Sequence, residues 1–303
     1  MNQILKNKYL RRFFWISSTA ILICLLLIRF YIFNKPTTES PDWYNFISDV
    51  IEGLVATIIT TIGIGVMIFY VTPKVDPKDG AEFLHSREFN KYFKSVLKEN
   101  PNEWYFRGGF GRYLRTAVIP RLHQVATDGT AVTVKAQILN PQNERLCKIH
   151  AHLRNTVNNS EKKTDWDDKE VKINLYATIV VCSIYESNNA FLDISIYLID
   201  FFSTDRIDIS TNSGILTKDD QKSPGLKFHK DSNHYRAYKG DLTVTEQQAS
   251  DVVKKLNVKY KIGKVTGDNI KKILKELNFN ENFSSADNDR IALLVNDKSI
   301  PYE

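Results

Sequence analysis

The stretches FFWISSTAILICLLLIRFYIF (Phe13–Phe33) and DVIEGLVATIITTIGIGVMIFYV (Asp49–Val71) decide the fold class of this chain. The first holds about 21 residues, which at ~1.5 Å rise per residue covers the ~30 Å hydrocarbon core of a bilayer. Its one charge, Arg29, stands near the end, where a long side chain snorkels to the interface. A basic start before an apolar run also describes a signal peptide. No small-x-small cleavage site follows, however, and Ile23 before Cys24 is a poor match to a lipoprotein-type site. A short stretch with Pro36, Pro41, Trp43 and Tyr44 separates the two segments, so residues 13–71 read as a transmembrane hairpin. Lys6, Lys8, Arg11 and Arg12 precede it, Lys35 between the helices is offset by Glu39 and Asp42, and Lys74 and Lys78 follow. The excess of basic residues on the cytoplasmic side places both ends of the chain in the cytoplasm.

The rest is ordinary polar protein. The chain has 303 residues and a formal charge of +6, with mean hydropathy −0.30, which leaves room for one full-sized domain beside the hairpin. The expected division is a basic cytoplasmic N-terminus at 1–12, the hairpin at 13–71, a linker at 72–82 reading TPKVDPKDGAE, and a cytoplasmic α/β domain at 83–303. The positive charge suits anionic lipid or nucleic acid. Cys24, Cys147 and Cys182 show neither a CxxC nor a zinc-ligand spacing, as in a reducing compartment without a disulfide scaffold.

Helix and strand alternate after the linker. The pattern predicts helices over Ser86–Lys98 and Arg112–Val125, strands over Trp104–Arg107 and Val132–Leu139, and a helix from Pro141 capped by Asn140. Asn155–Lys169 reads as an exposed loop and Val171–Ile184 as an apolar helix or strand. Phe191–Phe202 and Arg206–Ser210 read as strands, and Thr245–Leu256, Asp268–Leu277 and Ala286–Val295 as helices. Interleaving of this kind favours an α/β fold.

Two places invite function. In the second apolar segment Asp49, Gly53, Thr57, Thr61 and Gly65 recur every four residues. Small residues at that spacing let helices approach closely, either against the first helix or against further copies. In the second case Asp49 and Glu52 would ring the outer mouth of a pore. In the domain, Arg107-Gly108-Gly109-Phe110-Gly111-Arg112 falls where a strand gives way to a helix. With Arg107, Arg112 and Arg115 nearby it reads either as a structural turn or as a phosphate or nucleic-acid contact. It matches neither the P-loop nor the GxGxxG dinucleotide pattern.

Other chemistry finds less support. Cys147, His150 and His152 share a predicted helix but not one face, which argues against a metal site. His229-Lys230-Asp231 lacks the HxK spacing of phospholipase D-type enzymes, and no GxSxG or HExxH occurs. Residues 229–239 interleave His229, Lys230, His234, Tyr235, Arg236, Tyr238 and Lys239, as a polar surface hairpin or a nucleic-acid contact would. No catalytic residue, cofactor or metal is assigned.

The hairpin, the domain behind it, and the stretch WYFRGGFGRYLR (104–115) followed by AQILNP (136–141) resemble the two-transmembrane effectors of bacterial antiphage defence. Among these the chain looks most like the effector subunits of retron systems. The resemblance implies a toxin-like inner-membrane protein, held inactive by a reverse transcriptase and its small DNA–RNA hybrid, that self-associates to breach the bilayer when released. The alternative is a membrane effector gated by a nucleotide second messenger, with the glycine–arginine turn as its phosphate cradle.

Overall fold

The computed structural model describes residues 8–32, 42–71, 80–157, 166–218, 223–253 and 255–299. The chain divides into two compact units, Met1–Val75 and Asp76–Glu303. Four expected features lie wholly or mostly outside the described residues: the start of the basic N-terminus, the loop carrying Lys35 and Glu39, most of the linker, and residues 158–165 of the polar loop.

In the first unit, helices α1 (Lys8–Ile32) and α2 (Asp42–Val71) pack together. Among the described residues, Asn45–Met67 alone is long and apolar enough to cross a membrane by length and composition. Of the expected first span, Ile16–Tyr31 forms an apolar stretch of α1, with Arg29 in the last turn of the helix.

The second unit is a mixed α/β domain. Its elements are β1 (Glu82–Leu84), a 3₁₀ turn (Ser86–Glu88), α3 (Phe89–Lys98), β2 (Glu103–Arg107), a π-helical turn (Leu114–Val118) and α4 (Ile119–Thr127). Then come β3 (Val132–Leu139), α5 (Glu144–Val157), α6 (Asp168–Asn188), β4 (Leu192–Ile199), β5 (Asp205–Ser210), β6 (Ser213–Lys218) and β7 (Gly225–His229). The chain finishes with α7 (Asn233–Glu246), β8 (Ser250–Asp251), α8 (Gly267–Glu276) and α9 (Ser285–Asn296). All eight strands form one sheet in the order β1-β7-β6-β5-β2-β3-β4-β8.

The parallel core is β2-β3-β4, with Val134 opposite both Trp104 and Ile194. Parallel neighbours need crossover connections, which α4 and the pair α5–α6 supply. The other neighbours are antiparallel. Alternation along β2 and β5 sorts the two faces. Trp104 and Phe106 join the large core under α4 and α6, while Ile207 and Ile209 form a smaller core with Phe228, Tyr235 and Leu242 beneath α7. Helix α6 is buried on every side from Val171 to Ile184, apart from partly exposed Lys172. That is why its sequence shows no amphipathic period and reads equally as helix or strand.

Three expectations need correction. The helix placed at Thr245–Leu256 ends at Glu246, and Ser250–Asp251 pairs with Leu198 and Tyr197 of β4. Residues 229–239 are not a hairpin: they end β7 and begin α7, where the Ser232 hydroxyl caps the helix by accepting from the Tyr235 amide. The helix expected from Pro141 starts at Glu144. Asn140 accepts from the Gln142 amide in a turn, and Asn143 accepts from Leu146, so the capping role passes three residues on.

Candidate ligand cleft and apolar helix pair

The glycine–arginine turn does sit between a strand and a helix. β2 ends at Arg107, the Gly108 amide donates to the Gln137 carbonyl across the parallel pair at 3.2 Å, and the chain then turns into a helical segment. Gly111 has φ +66°, a left-handed conformation that disfavours any side chain. Gly109 is required for space, since a Cβ there would lie 2.6 Å from the His150 ring. The π-helical turn that follows buries five consecutive residues, and Arg115 is one of them.

Arg115 is 3 % exposed. One terminal nitrogen donates to the Asn174 carbonyl at 3.2 Å and to the Thr178 hydroxyl at 3.1 Å, and the other donates to Asn174 Oδ1 at 3.1 Å. Its Nε has no hydrogen-bond partner among the described residues. Burial, and next the nearby Arg112, pull its pKa down to about 10, so it stays charged at neutral pH.

This guanidinium lines a cleft of about 660 Å³ at the carboxyl end of β2. Ligands of open α/β sheets bind outside the carboxyl ends of parallel strands. The cleft gathers six cationic side chains and two carboxylates. Several of the cations are neutralised: Arg290 meets Glu170 at 3.3 Å, Arg112 meets Asp297 at 3.9 Å, Arg206 meets Asp208 at 2.6 Å, and Lys218 meets Asp205 at 2.7 Å. Arg115 instead hydrogen-bonds neutral oxygens, with Asp297 and Glu170 acting on it only through longer-range attraction, so its charge is available to an anion in the cleft. In the same lining, Phe110 and Trp166 stack with centroids 5.0 Å apart, and the Arg154 guanidinium lies 5.0 Å from the first ring and 5.8 Å from the second.

Of the turn residues singled out from the sequence, Gly109, Gly111, Arg112 and Arg115 line this cleft. Arg107 and Gly108 do not. Arg107 reaches Asp241 of α7 at 2.6 Å and serves the contact between that helix and the sheet. Sequence reading missed Arg154, Trp166, Asn174, Arg206 and Asp297, which come from separate elements and share no local motif.

His150 lies behind Gly109, fully buried, with its ring 4.4 Å from Phe110 and 5.5 Å from Phe202. Neither ring nitrogen has a hydrogen-bond partner among the described residues. Burial, reinforced by Arg154, lowers its pKa from 6.5 to about 3. Between those values the unfolded chain binds a proton that the folded chain refuses. This part of the stability is therefore complete above pH 6.5 and falls as the pH drops towards about 3, by about 1.4 kcal/mol for each unit crossed. Thermal unfolding of the detergent-solubilised chain between about pH 7 and pH 4.5 should show that loss. His150→Leu should flatten it, and a profile unchanged by the substitution would remove His150 as its source.

His152, two residues on, is exposed, and no group of three metal-ligating side chains is found among the described residues.

In the hairpin, Gly53, Thr57 and Thr61 are exposed, and a Cβ built on Gly53 meets nothing within 4 Å. Gly65 is buried instead. A four-residue repeat advances ~40° per step on a helix of 3.6 residues per turn, so Asp49 and Gly65 differ by roughly 160° and cannot share a face. The face towards α1 carries Ile51, Val55, Ile58 and Ile62. Thr57 and Thr61 donate to the Gly53 and Thr57 carbonyls of their own helix, at 2.8 Å each. Asp49 is exposed, and Glu52 is engaged by Arg29 of α1, with oxygen–nitrogen distances of 2.5 and 2.9 Å.

No family model matches the chain, and no curated protein is similar to it. A solved structure of TrmBL2, an archaeal chromatin protein described as showing a novel mode of DNA binding, is similar at 14 % identity, with a TM-score of 0.33 over 69 % of this chain and 67 % of that one. That similarity is too low to place either the fold or a binding mode.

Proposed function

We propose that this chain is a toxin-like effector of the bacterial inner membrane, acting in antiphage defence and switched by an anionic signal. In this reading α1 and α2 form a transmembrane hairpin with both chain ends in the cytoplasm. The α/β domain receives the signal in the cleft and sets whether hairpins of several copies associate and breach the bilayer. The observation that supports it best is Arg115, a buried guanidinium at the base of a cationic cleft that has no carboxylate partner among the described residues. A charge held there at a cost in desolvation is explained by an anion that arrives and leaves. The retron reading fits the same scheme, with the reverse transcriptase and its DNA–RNA hybrid as the anionic regulator.

The output side is supported by the small-residue face of α2. Two helices are too few to enclose a pore, so permeation requires several copies. Gly53, Thr57 and Thr61 are turned away from α1, where another copy can approach closely. Gly53→Leu should leave the hairpin inserted, because the added side chain meets nothing in the same chain. Dye release from liposomes and growth arrest on expression should both fall at least about tenfold, the scale set by losing close helix contact. Full leakage by the inserted variant would remove this face from the mechanism.

A further inference from the structure

We infer that the cleft is shaped for a nucleotide unit, with phosphate at the Arg112–Arg115 end and a base against Trp166. This rests on the anion-switched reading above and names the class of anion. A bare phosphate needs far less room than about 660 Å³, which is the size range of sites for drug-sized ligands. Two chemically different patches line it. At one, Arg115 is held by Asn174 and Thr178, so its guanidinium is oriented before any ligand arrives. At the other, the Trp166 indole is stacked at 18° on Phe110 with the Arg154 guanidinium over both rings. The Trp166 backbone is pinned by two 2.9 Å hydrogen bonds with the Asn155 side chain, which fixes the platform. Planar aromatic and guanidinium surfaces are what bases stack on, and the pairing with fixed arginines is that of nucleotide and single-strand sites.

Asp297 completes the assignment. It follows α9, lines the same cleft, and has its carboxylate 3.9 Å from Arg112 while accepting from the Ser299 amide at 2.9 Å and hydroxyl at 2.8 Å. It occupies the place of a weak internal anion, and a phosphate entering the cleft takes Arg112 from it. Removing its charge should therefore tighten binding, a gain that misfolding cannot mimic.

The test is calorimetry on the detergent-solubilised full chain with pyrophosphate, ATP, cyclic di-AMP and a 5′-phosphorylated oligonucleotide. One of the nucleotide probes should bind at least about tenfold tighter than pyrophosphate, from the ~1–3 kcal/mol of one base–aromatic stack. Trp166→Ala should erase that difference, and Asp297→Asn should tighten every anion several-fold. Preference for ATP or cyclic di-AMP assigns a free nucleotide, and preference for the oligonucleotide assigns a strand end; either supports the nucleotide class. Pyrophosphate binding as tightly as every nucleotide probe, or Trp166→Ala leaving the preference intact, would overturn this inference while the anionic cleft stands. Binding of none of the four would overturn the anion-switched reading itself.

Discussion

Asp208→Ala is expected to cost about 3–5 kcal/mol of stability, the usual price of stripping one partner from a buried ion pair. Asp208 is 2 % exposed and sits in mid-strand on β5, facing the large core beside Trp104 and Phe106. It meets Arg206 Nε at 2.6 Å. The Arg206 guanidinium in turn lies 5.3 Å from the Phe93 ring, 5.4 Å from Phe106 and 5.7 Å from Tyr113, enclosed by aromatic faces. Removing the carboxylate takes from that cation the 2.6 Å Asp208 contact, which its cation–π contacts, worth about 0.5–2 kcal/mol each, do not replace. Burial holds the Asp208 carboxyl above its ordinary range even though Arg206 pulls the other way, so the pair is costly to keep. It follows that Asp208→Leu combined with Arg206→Met should recover most of what the single substitution loses. Denaturant midpoints of the single and double variants measure the difference, and equal loss in both would mean that packing, and not charge, is at stake.

Legibility in the sequence tracked how local each cause is. β3 is readable from Val132 to Leu139 because Val132, Val134, Ala136 and Ile138 alternate with Thr133, Lys135 and Gln137 between a glycine turn and Asn140. The helices at Gly267–Glu276 and Ser285–Asn296 were readable from their polar caps and apolar stripes, with Thr266 and Ser284 both forming capping boxes. β6 and β7 were missed because both are short and carry Gly, Lys and Thr where a strand signal needs branched apolar residues, and their pairing is set by neighbours. Helix α7 was misplaced because its basic and aromatic face obscured the Ser232 cap. In the cleft, the turn announced itself by three glycines between strand and helix, but its chemistry depends on residues far along the chain. Asn174 is 59 positions from Arg115 and Ser299 is 187 from Arg112. No spacing rule reaches that far.

Arg115→Met should reduce pyrophosphate or nucleotide affinity by at least about a hundredfold, some 2.7 kcal/mol, while changing stability by no more than about 1 kcal/mol. The two effects separate because Arg115 contributes differently to folding and to binding. In folding, its three hydrogen bonds to Asn174 and Thr178 are offset by desolvation, which outweighs the attraction of Asp297 and Glu170 and pulls its pKa down to about 10. Methionine fills similar volume without that penalty, though it leaves the Asn174 side-chain oxygen without this donor. In binding, the same charge is compensated by the ligand, and the low local dielectric strengthens the attraction. Arg115→Lys supplies the control. It keeps a charge but not the planar fork that spans Asn174 and Thr178, so it should restore part of the affinity, leaving a loss of about tenfold. If the signal works through this cleft, the methionine variant should also respond to no anion in the liposome assay while the lysine variant responds at higher concentration. Normal switching in Arg115→Met, with the chain folded, would place the regulatory contact elsewhere on the domain.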